Sequence, residues 1–168
     1  GDSFFRETTP TLPTNYIWMD GVKHAKDRKP GPLVVFVECT NVLVDGITIR
    51  NAPCWSILLH ACEYVRVSNY QCFNPHTALQ TDGLDIDCCR FVTVTNCNIQ
   101  TGDDGITFRC DTWRQNKRKA CEYVTVTNCN ISVSSSAFRV GVGVGAIRHI
   151  RVSNITIERC GVGISQMG

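Results

Sequence analysis

Three aspartates lie at two glycine-containing turns whose spacing would let them act together. Asp82 belongs to a Thr-Asp-Gly turn, and Asp103 and Asp104 belong to a Gly-Asp-Asp-Gly turn, with Asp103 21 positions after Asp82. A short alternation of apolar and polar residues follows each turn. If the two segments are neighbouring rungs of one coil, the carboxylates converge on a patch one strand spacing wide. Such clustering is usually kept for metal binding or acid/base chemistry.

An internal repeat supplies such a coil. Five copies of an alternating segment, broken in the middle by Asn, Asp or Gly, begin at Val42, Val65, Val92, Val124 and Ile150, with spacings of 23, 27, 32 and 26 residues. This pattern is typical of strand, tight bend, strand, because asparagine tolerates the left-handed conformation at a corner. A further apolar run follows in each copy, at residues 55–57, 84–86, 106–108, 138–140 and 162–164. Three short strands per repeat and no amphipathic helical stretch predict an all-β fold, a right-handed parallel β-helix of five to six coils.

The repeat also divides the chain. Residues 1–32 lack the repeat and are predicted to form an irregular leading segment, and residues 33–168 are predicted to form the coils. Solenoids normally carry atypical terminal repeats that cover their strand edges. The last apolar run has no such cap after it, so we expect the coils to belong to a longer solenoid or to self-associate at the carboxy-terminal end.

The net charge and the hydropathy of the chain limit the classes of binding partner that we expect. The net charge of +2 gives no electrostatic reason to expect nucleic acid or an anionic membrane as a partner. No apolar run approaches the ~18–20 residues that a membrane-spanning helix needs. We therefore expect neither nucleic acid nor a membrane to be bound.

The eleven cysteines are predicted to be free thiols. Their number is odd, they form no small-domain framework, and no Cys-x-x-Cys pair indicates zinc. Cys72 falls where other repeats have isoleucine, so we expect it to point inward as a small apolar residue. Stacked free thiols favour a reducing, cytoplasmic compartment, although two glycosylation sequons at repeat corners leave secretion open.

The order of these motifs resembles the polygalacturonase family, glycoside hydrolase family 28. The residues that carry the resemblance are residues 41–49, 52–57, 81–86 and 101–106. The resemblance implies a right-handed β-helix and an inverting pectin hydrolase that needs no cofactor or metal. It also implies that Asp82, Asp103 and Asp104 form the catalytic centre.

Two family motifs differ in this chain. Where the family usually has Gly-His-Gly, residues 135–141 read Ser-Ser-Ala-Phe-Arg-Val-Gly, and where it has Arg-Ile-Lys, residues 163–165 read Gly-Ile-Ser. Both differences concern substrate recognition and support of the acid more than the three carboxylates, so the sequence predicts the hydrolase more specifically than it predicts the sugar. We expect a polysaccharide substrate, with a pectic, galacturonate-containing one as the leading choice.

Glycoside hydrolysis gives the three carboxylates distinct roles. An acid protonates the leaving oxygen and a base activates water, and inverting enzymes separate the two by ~6.5–9.5 Å. Aligning the two turns places Asp82 over Asp104, one rung of ~4.8 Å away, with Asp103 on the diagonal. We therefore expect Asp103 to be the acid, and Asp82 with Asp104 to activate the water.

Other side chains have weaker signals. Arg109 and Arg139 are candidate substrate-binding residues. The alternative for Arg109 is an ion pair with Asp87 on the neighbouring strand, and the alternative for Arg139 is a solvated side chain without a ligand. Trp55 is predicted to start a core strand. His60 has no partner nearby in sequence and is interpreted as non-catalytic.

Two further functions remain open at this stage. A calcium-dependent pectate lyase fits clustered carboxylates but needs a basic residue to abstract a proton, for which Arg109 and Arg139 are the candidates. A non-catalytic carbohydrate-binding β-helix would be favoured by a flat surface with internally paired aspartates.

Overall fold

The computed structural model describes residues 31–111 and 119–167, together with two short strands near the amino terminus. These are β1 (Tyr16–Met19) and β2 (Val22–Ala25), which pair antiparallel as a hairpin. The leading segment therefore contains one regular element, and its boundary at residue 32 stays a prediction. The described residues form no helix, and accordingly none of them belongs to a helix able to span a bilayer.

The other strands stack in three parallel ladders. The first contains β4 (Thr40–Asp45), β7 (Glu63–Ser68), β10 (Arg90–Thr95) and the first halves of β13 (Cys121–Val133) and β15 (Ile147–Arg159). The second contains β5 (Thr48–Arg50), β8 (Gln71–Phe73), β11 (Asn98–Thr101) and the second halves of β13 and β15. The third contains β3 (Val34–Val37), β6 (Ile57–His60), β9 (Leu84–Asp87), β12 (Ile106–Cys110), β14 (Ser136–Gly143) and β16 (Val162–Gln166). The chain thus visits each ladder once per coil, which confirms the predicted parallel β-helix.

Asparagine forms the corner between the first two ladders. Asn69, Asn96, Asn128 and Asn154 have φ angles of 53°, 55°, 55° and 52°, and Gly46 occupies the same corner with a φ of 65°. Asparagine and glycine adopt this left-handed conformation more readily than other residues do. The predicted corner role of the repeated asparagine is confirmed.

Stacked rows of small aliphatic side chains fill the interior. Equivalent positions of successive coils lie over one another because the ladders are in register. One row runs through the second ladder, where Ile49, Cys72, Ile99 and Ile131 are 6%, 0%, 2% and 1% exposed. Cys72 therefore replaces an inward isoleucine, as predicted.

All eleven cysteines are free thiols, and most are buried. Burial raises the pKa of the Cys72 thiol and raises that of Cys121 to about 12. Cys72 and Cys121 therefore pack as neutral, apolar groups. The expectation of free thiols is confirmed, whereas the compartment stays a prediction.

A row of exposed rings, which the sequence interpretation missed, runs along the outside of the first ladder. Tyr64, Phe91, Tyr123 and His149 stack with centroid distances of 5.0, 5.2 and 4.9 Å and nearly parallel planes. Each of the four has a positive φ, between 55° and 57°. We call this row the aromatic stack.

Candidate active site

The two aspartate turns lie on adjacent coils in the register that the sequence predicted. Leu84 pairs with Ile106, and the Gly83 amide donates to the Asp104 carbonyl at 3.0 Å. Asp82 therefore lies directly over Asp104, and both line a cavity of about 220 Å³. The predicted alignment is confirmed, and the catalytic roles of the residues stay a prediction.

Close backbone packing explains why glycine precedes the aspartate pair. A Cβ atom on Gly102 would lie 2.0 Å from the carbonyl oxygen of Ala78. The Thr81 hydroxyl donates to that same carbonyl at 2.6 Å and accepts from the Gly102 amide at 3.1 Å. The turn that carries Asp103 is thus held against the preceding coil, and a side chain at position 102 would displace it.

Asp104 is buried and held from two sides. Its Oδ1 accepts from the Ser136 amide at 2.9 Å, and its Oδ2 accepts from Arg139 Nη1 at 2.9 Å. The guanidinium of Arg139 also contacts Met167 Sδ. Arg139 lies one coil beyond the aspartate pair, as predicted, and lines the cavity next to Asp82 and Asp104. Its positive charge offsets the repulsion between these two carboxylates.

Asp103 lies beside the cavity rather than in its wall. Its side chain is buried, and Oδ2 accepts from the Gln80 amide at 3.0 Å. Gln80 itself lines the cavity together with Asp82, whereas Asp103 is not among the described residues that do so. The turn therefore places one aspartate of the pair in the cavity wall and the other next to Gln80.

The predicted Asp87–Arg109 ion pair is wrong, although the two residues do lie opposite each other in the ladder. Arg109 Nη1 lies 3.4 Å from Asp85 Oδ1, and its guanidinium carbon lies 4.4 Å from the centre of the Trp55 ring. Asp85 is the diagonal neighbour on the same face and is completely buried. Asp87 is not available to Arg109 because His60 and the Asp111 amide occupy its two oxygens.

Burial raises the pKa of Asp85 to about 7, while the adjacent Arg109 opposes that rise. The neighbouring carboxylates Asp104 and Asp87 add to it. The ion pair with Arg109 therefore offsets only part of the cost of burying this carboxylate. Asp85 lies beneath the cavity and carries a proton more readily than an ordinary aspartate does.

Trp55 does not begin a core strand. The third ladder pairs Ile57, not Trp55, with Leu84, so the strand begins two residues later than the apolar run indicated. Trp55 instead lines the cavity and packs on Arg109. The error arose because residues 55–59 are apolar almost throughout. Placing either Trp55 or Ile57 opposite Leu84 puts apolar residues on the inward face, so the sequence pattern fits both alignments equally well.

Because of the same two-residue shift, the sequence analysis did not predict the contact between two buried polar residues, His60 and Asp87. His60 pairs with Asp87 in the ladder, and its Nδ1 lies 2.8 Å from Asp87 Oδ2. The side chains are only 8% and 7% exposed. Aligning the third strands of the first two coils correctly would have placed the histidine over the aspartate.

Metal binding gains no support from the geometry of the described residues. Among them, no group of three or more histidine, cysteine, aspartate or glutamate side chains is arranged to hold a metal ion. The carboxylates at the cavity are instead contacted by arginine and backbone amides.

The family profile "Glycosyl hydrolases family 28" matches residues 14–167, nearly the whole chain. The chain belongs to family 28. The resemblance inferred from the aspartate turns is thereby confirmed.

Family 28 relatives match the chain over a limited part of their own length. A probable polygalacturonase of Arabidopsis thaliana is 32% identical over 77 residues, which are 46% of this chain and 17% of that protein. An exopolygalacturonase of Platanus acerifolia is 33% identical over 67 residues, which are 40% of this chain and 18% of that protein. The chain thus spans about a fifth or less of the length of these curated relatives.

Solved family 28 structures share the fold. The exopolygalacturonase of Thermotoga maritima superposes with a TM-score of 0.68 at 26% identity, over 79% of this chain and 31% of that one. The family 28 exopolygalacturonase of Yersinia enterocolitica gives a TM-score of 0.69 at 23% identity, over 76% and 23% of the respective chains. The second likeness, at this identity, concerns the β-helix alone.

Proposed function

We propose that this family 28 chain carries the catalytic centre of an inverting glycoside hydrolase that acts on a pectic, galacturonate-containing polysaccharide. The observation that carries the proposal is the placement of Asp82 and Asp104 on adjacent rungs of one cavity wall. The names of the relatives, which are polygalacturonases, support the substrate class.

The proposed reaction assigns one proton transfer to each side of the glycosidic bond. Asp103, which contacts the backbone amide of Gln80 in the cavity wall, is the acid: in its protonated form it donates to the glycosidic oxygen as the bond from that oxygen to the anomeric carbon breaks. A water held by Asp82 and Asp104 attacks the anomeric carbon from the opposite face and gives its proton to this pair. One water is consumed, and the new reducing end has the inverted configuration.

Two arginines at the cavity suit an acidic sugar. Arg109 and Arg139 both line it, and guanidinium groups bind carboxylates with directed, charge-assisted hydrogen bonds. Arg109 is positioned by Asp85 and Trp55, and Arg139 by Asp104. We infer that these two residues bind the uronate carboxylate in place of the family's Arg-Ile-Lys motif.

Replacing each aspartate by asparagine tests the proposed roles. Asp103→Asn should lower turnover of polygalacturonate by ~10²–10⁴-fold, as loss of a general acid does, and recover partly on aryl glycosides whose leaving group needs no proton. Asp82→Asn and Asp104→Asn should lose turnover on both substrates. Asp45→Asn, on the outer face of the first ladder, is the matched control and should remain active.

Product analysis distinguishes the hydrolase from its competitors. Proton NMR during the first minutes should show an anomeric configuration opposite to that of the substrate, with activity unchanged by excess chelator. Retained configuration, or full activity in any of the three aspartate variants, contradicts the mechanism. An unsaturated product that requires calcium would identify a lyase instead, and binding without turnover would identify a carbohydrate-binding module.

A further inference from the structure

A second cavity adjoins the candidate active site. It has a volume of about 290 Å³ and shares Trp55 and Arg109 with the first cavity. Its remaining described lining combines an apolar wall with three polar residues: Pro32, Val35, Val37 and Leu58 for the wall, and His60, Asp87 and Asp111 for the polar part. Ligand sites typically combine apolar walls with a few placed polar groups in about 300–1,000 Å³, a range that the two adjoining cavities reach together.

His60 gives this cavity an oriented hydrogen-bonding group. Its Nδ1 is fixed by Asp87 at 2.8 Å, and Asp87 is held in turn by the Asp111 amide at 2.8 Å. The His60 side chain is 8% exposed, and its Nε2 has no hydrogen-bond partner among the described residues. A buried polar atom without a partner is costly, so a ligand that satisfies Nε2 would gain that free energy on binding.

The two cavities differ in charge. The first has two carboxylates, Asp82 and Asp104, and two guanidinium groups, Arg109 and Arg139. The described lining of the second has two carboxylates, Asp87 and Asp111, but only one guanidinium, that of Arg109, which it shares with the first cavity. An additional carboxylate is therefore repelled more strongly in the second cavity than in the first.

We propose that the second cavity is a subsite for a neutral sugar residue, adjacent to the residue held by the two arginines. With its Nδ1–H donated to Asp87, the His60 ring offers Nε2 as an acceptor for a sugar hydroxyl. The apolar wall suits the C–H face of the ring, and among the described lining residues the cavity offers a uronate one guanidinium, that of Arg109, against the carboxylates of Asp87 and Asp111. This inference rests on the proposed function, and it makes the preferred substrate a polysaccharide in which neutral sugars accompany galacturonate.

Matched oligosaccharides and variants test the subsite. The probes are a tetrasaccharide of galacturonate alone and one in which galacturonate alternates with rhamnose, each measured for binding by calorimetry and for hydrolysis. His60→Leu should weaken binding of the mixed probe roughly 3–10-fold, the effect of one lost hydrogen bond, and leave the galacturonate-only probe within a factor of two. Asp111→Asn, which keeps the backbone contact to Asp87, should improve binding of the galacturonate-only probe. His76→Gln, a histidine outside both cavities, should change neither.

The possible outcomes distinguish failure of the proposed subsite from failure of the proposed hydrolase function. His60-dependent binding of the mixed probe without hydrolysis would overturn the proposed function and support the subsite. Hydrolysis with equal affinity for both probes, or with no effect of His60→Leu and Asp111→Asn, would overturn the subsite alone. Absence of both binding and hydrolysis would overturn both. If His60→Leu fails to fold, the Asp111→Asn comparison still decides between these results.

Discussion

At the scale of single residues, ion pairs across neighbouring coils organise the candidate site. Arg139 reaches back one coil to Asp104, and Arg109 reaches back one coil to Asp85. Each pair joins residues of neighbouring coils that are distant in sequence. The positions of the candidate catalytic and binding groups therefore depend on the stacking of the coils rather than on any one turn.

Replacing Arg139 by glutamine should disturb the Asp82–Asp104 pair more than the fold of the coil. Asp104 would keep its contact with the Ser136 amide but lose the guanidinium of Arg139, whose charge offsets the repulsion between Asp104 and Asp82. We expect kcat to fall ~10²-fold, as for a misplaced reacting group, and Arg139→Lys to restore part of it. Arg151→Gln, an exposed arginine of the first ladder, is the control. A rise in KM with kcat unchanged would instead restrict Arg139 to substrate binding.

Asp85 should make stability depend on pH in a direction opposite to that of most carboxylates. Its folded-state pKa is raised from 3.8 to about 7, so its contribution to stability is fully present below about pH 4 and is lost as the pH rises through about 7. Asp85→Asn keeps a neutral side chain at every pH. The difference in unfolding free energy, variant minus wild type, should therefore increase by about 1–4 kcal/mol between pH 4 and pH 8.

Thermal melts of both proteins at several pH values measure this difference. Asp45→Asn provides the control, because hydrogen bonds from Ser68 and Asn69 lower the pKa of Asp45, and no relative gain should appear above pH 5. A difference between Asp85→Asn and wild type that stays constant from pH 4 to pH 8 would contradict the raised pKa.

At the scale of the elements, the aromatic stack joins four coils on the outside of the first ladder. Phe91 lies between Tyr64 and Tyr123 and contacts a ring on each face. Phe91→Ala should cost about 1–3 kcal/mol in unfolding free energy, since each aromatic pair contributes about 0.5–1.5 kcal/mol beyond burial. Phe91→Tyr keeps both ring contacts and should be nearly neutral. Chemical denaturation measures both, and equal stability of the alanine and tyrosine variants would mean that the stack contributes nothing.

The sequence predicts the coil well because its period is visible in every copy. Alternation defines the inward rows, and asparagine marks the corner whose φ is positive. The third strand of the first coil was misplaced by two residues because its apolar run is longer than the strand, and this error concealed the contact of His60 with Asp87.

The aromatic stack had a usable signal, since each of its rings immediately precedes the first residue of a repeat. The side-chain partners of Arg109 could not be predicted, because opposite and diagonal positions on one face are both within reach of a long side chain.

At the scale of the whole molecule, the burial of the inward apolar rows falls sharply at the fifth coil. In the fourth coil the inward residues Val126, Ile131 and Phe138 are at most 3% exposed, whereas Val152 and Ile157, the equivalents of Val126 and Ile131 in the fifth coil, are 38% and 39% exposed. Each coil thus depends on the next for the burial of its apolar row. An exposed apolar row and an unpaired strand edge are both favourable for association.

We therefore expect the 168-residue chain to associate through its fifth coil in a concentration-dependent way. Light scattering should show a mass that rises with concentration, and the double variant Val152→Lys, Ile157→Lys should lower it. Replacing Leu43, an exposed apolar residue of the first coil, by lysine is the control and should leave the association unchanged. A monomer at every concentration, with a cooperative melt, would refute the expectation.

The two adjoining cavities form one cleft along the third ladder. Each coil contributes one strand of that ladder, so the length of the cleft changes in steps of one strand spacing. His60, Asp87 and Arg109 occupy the same column on three consecutive strands, ~4.8 Å apart. The coil is therefore a unit of length for the binding surface, and adding or removing one repeat would move the amino-terminal end of the cleft by a single rung while leaving the aspartate turns in place. Exchanging the coil that carries His60 for one with other outward residues would therefore change this part of the binding surface while leaving the candidate active site unchanged.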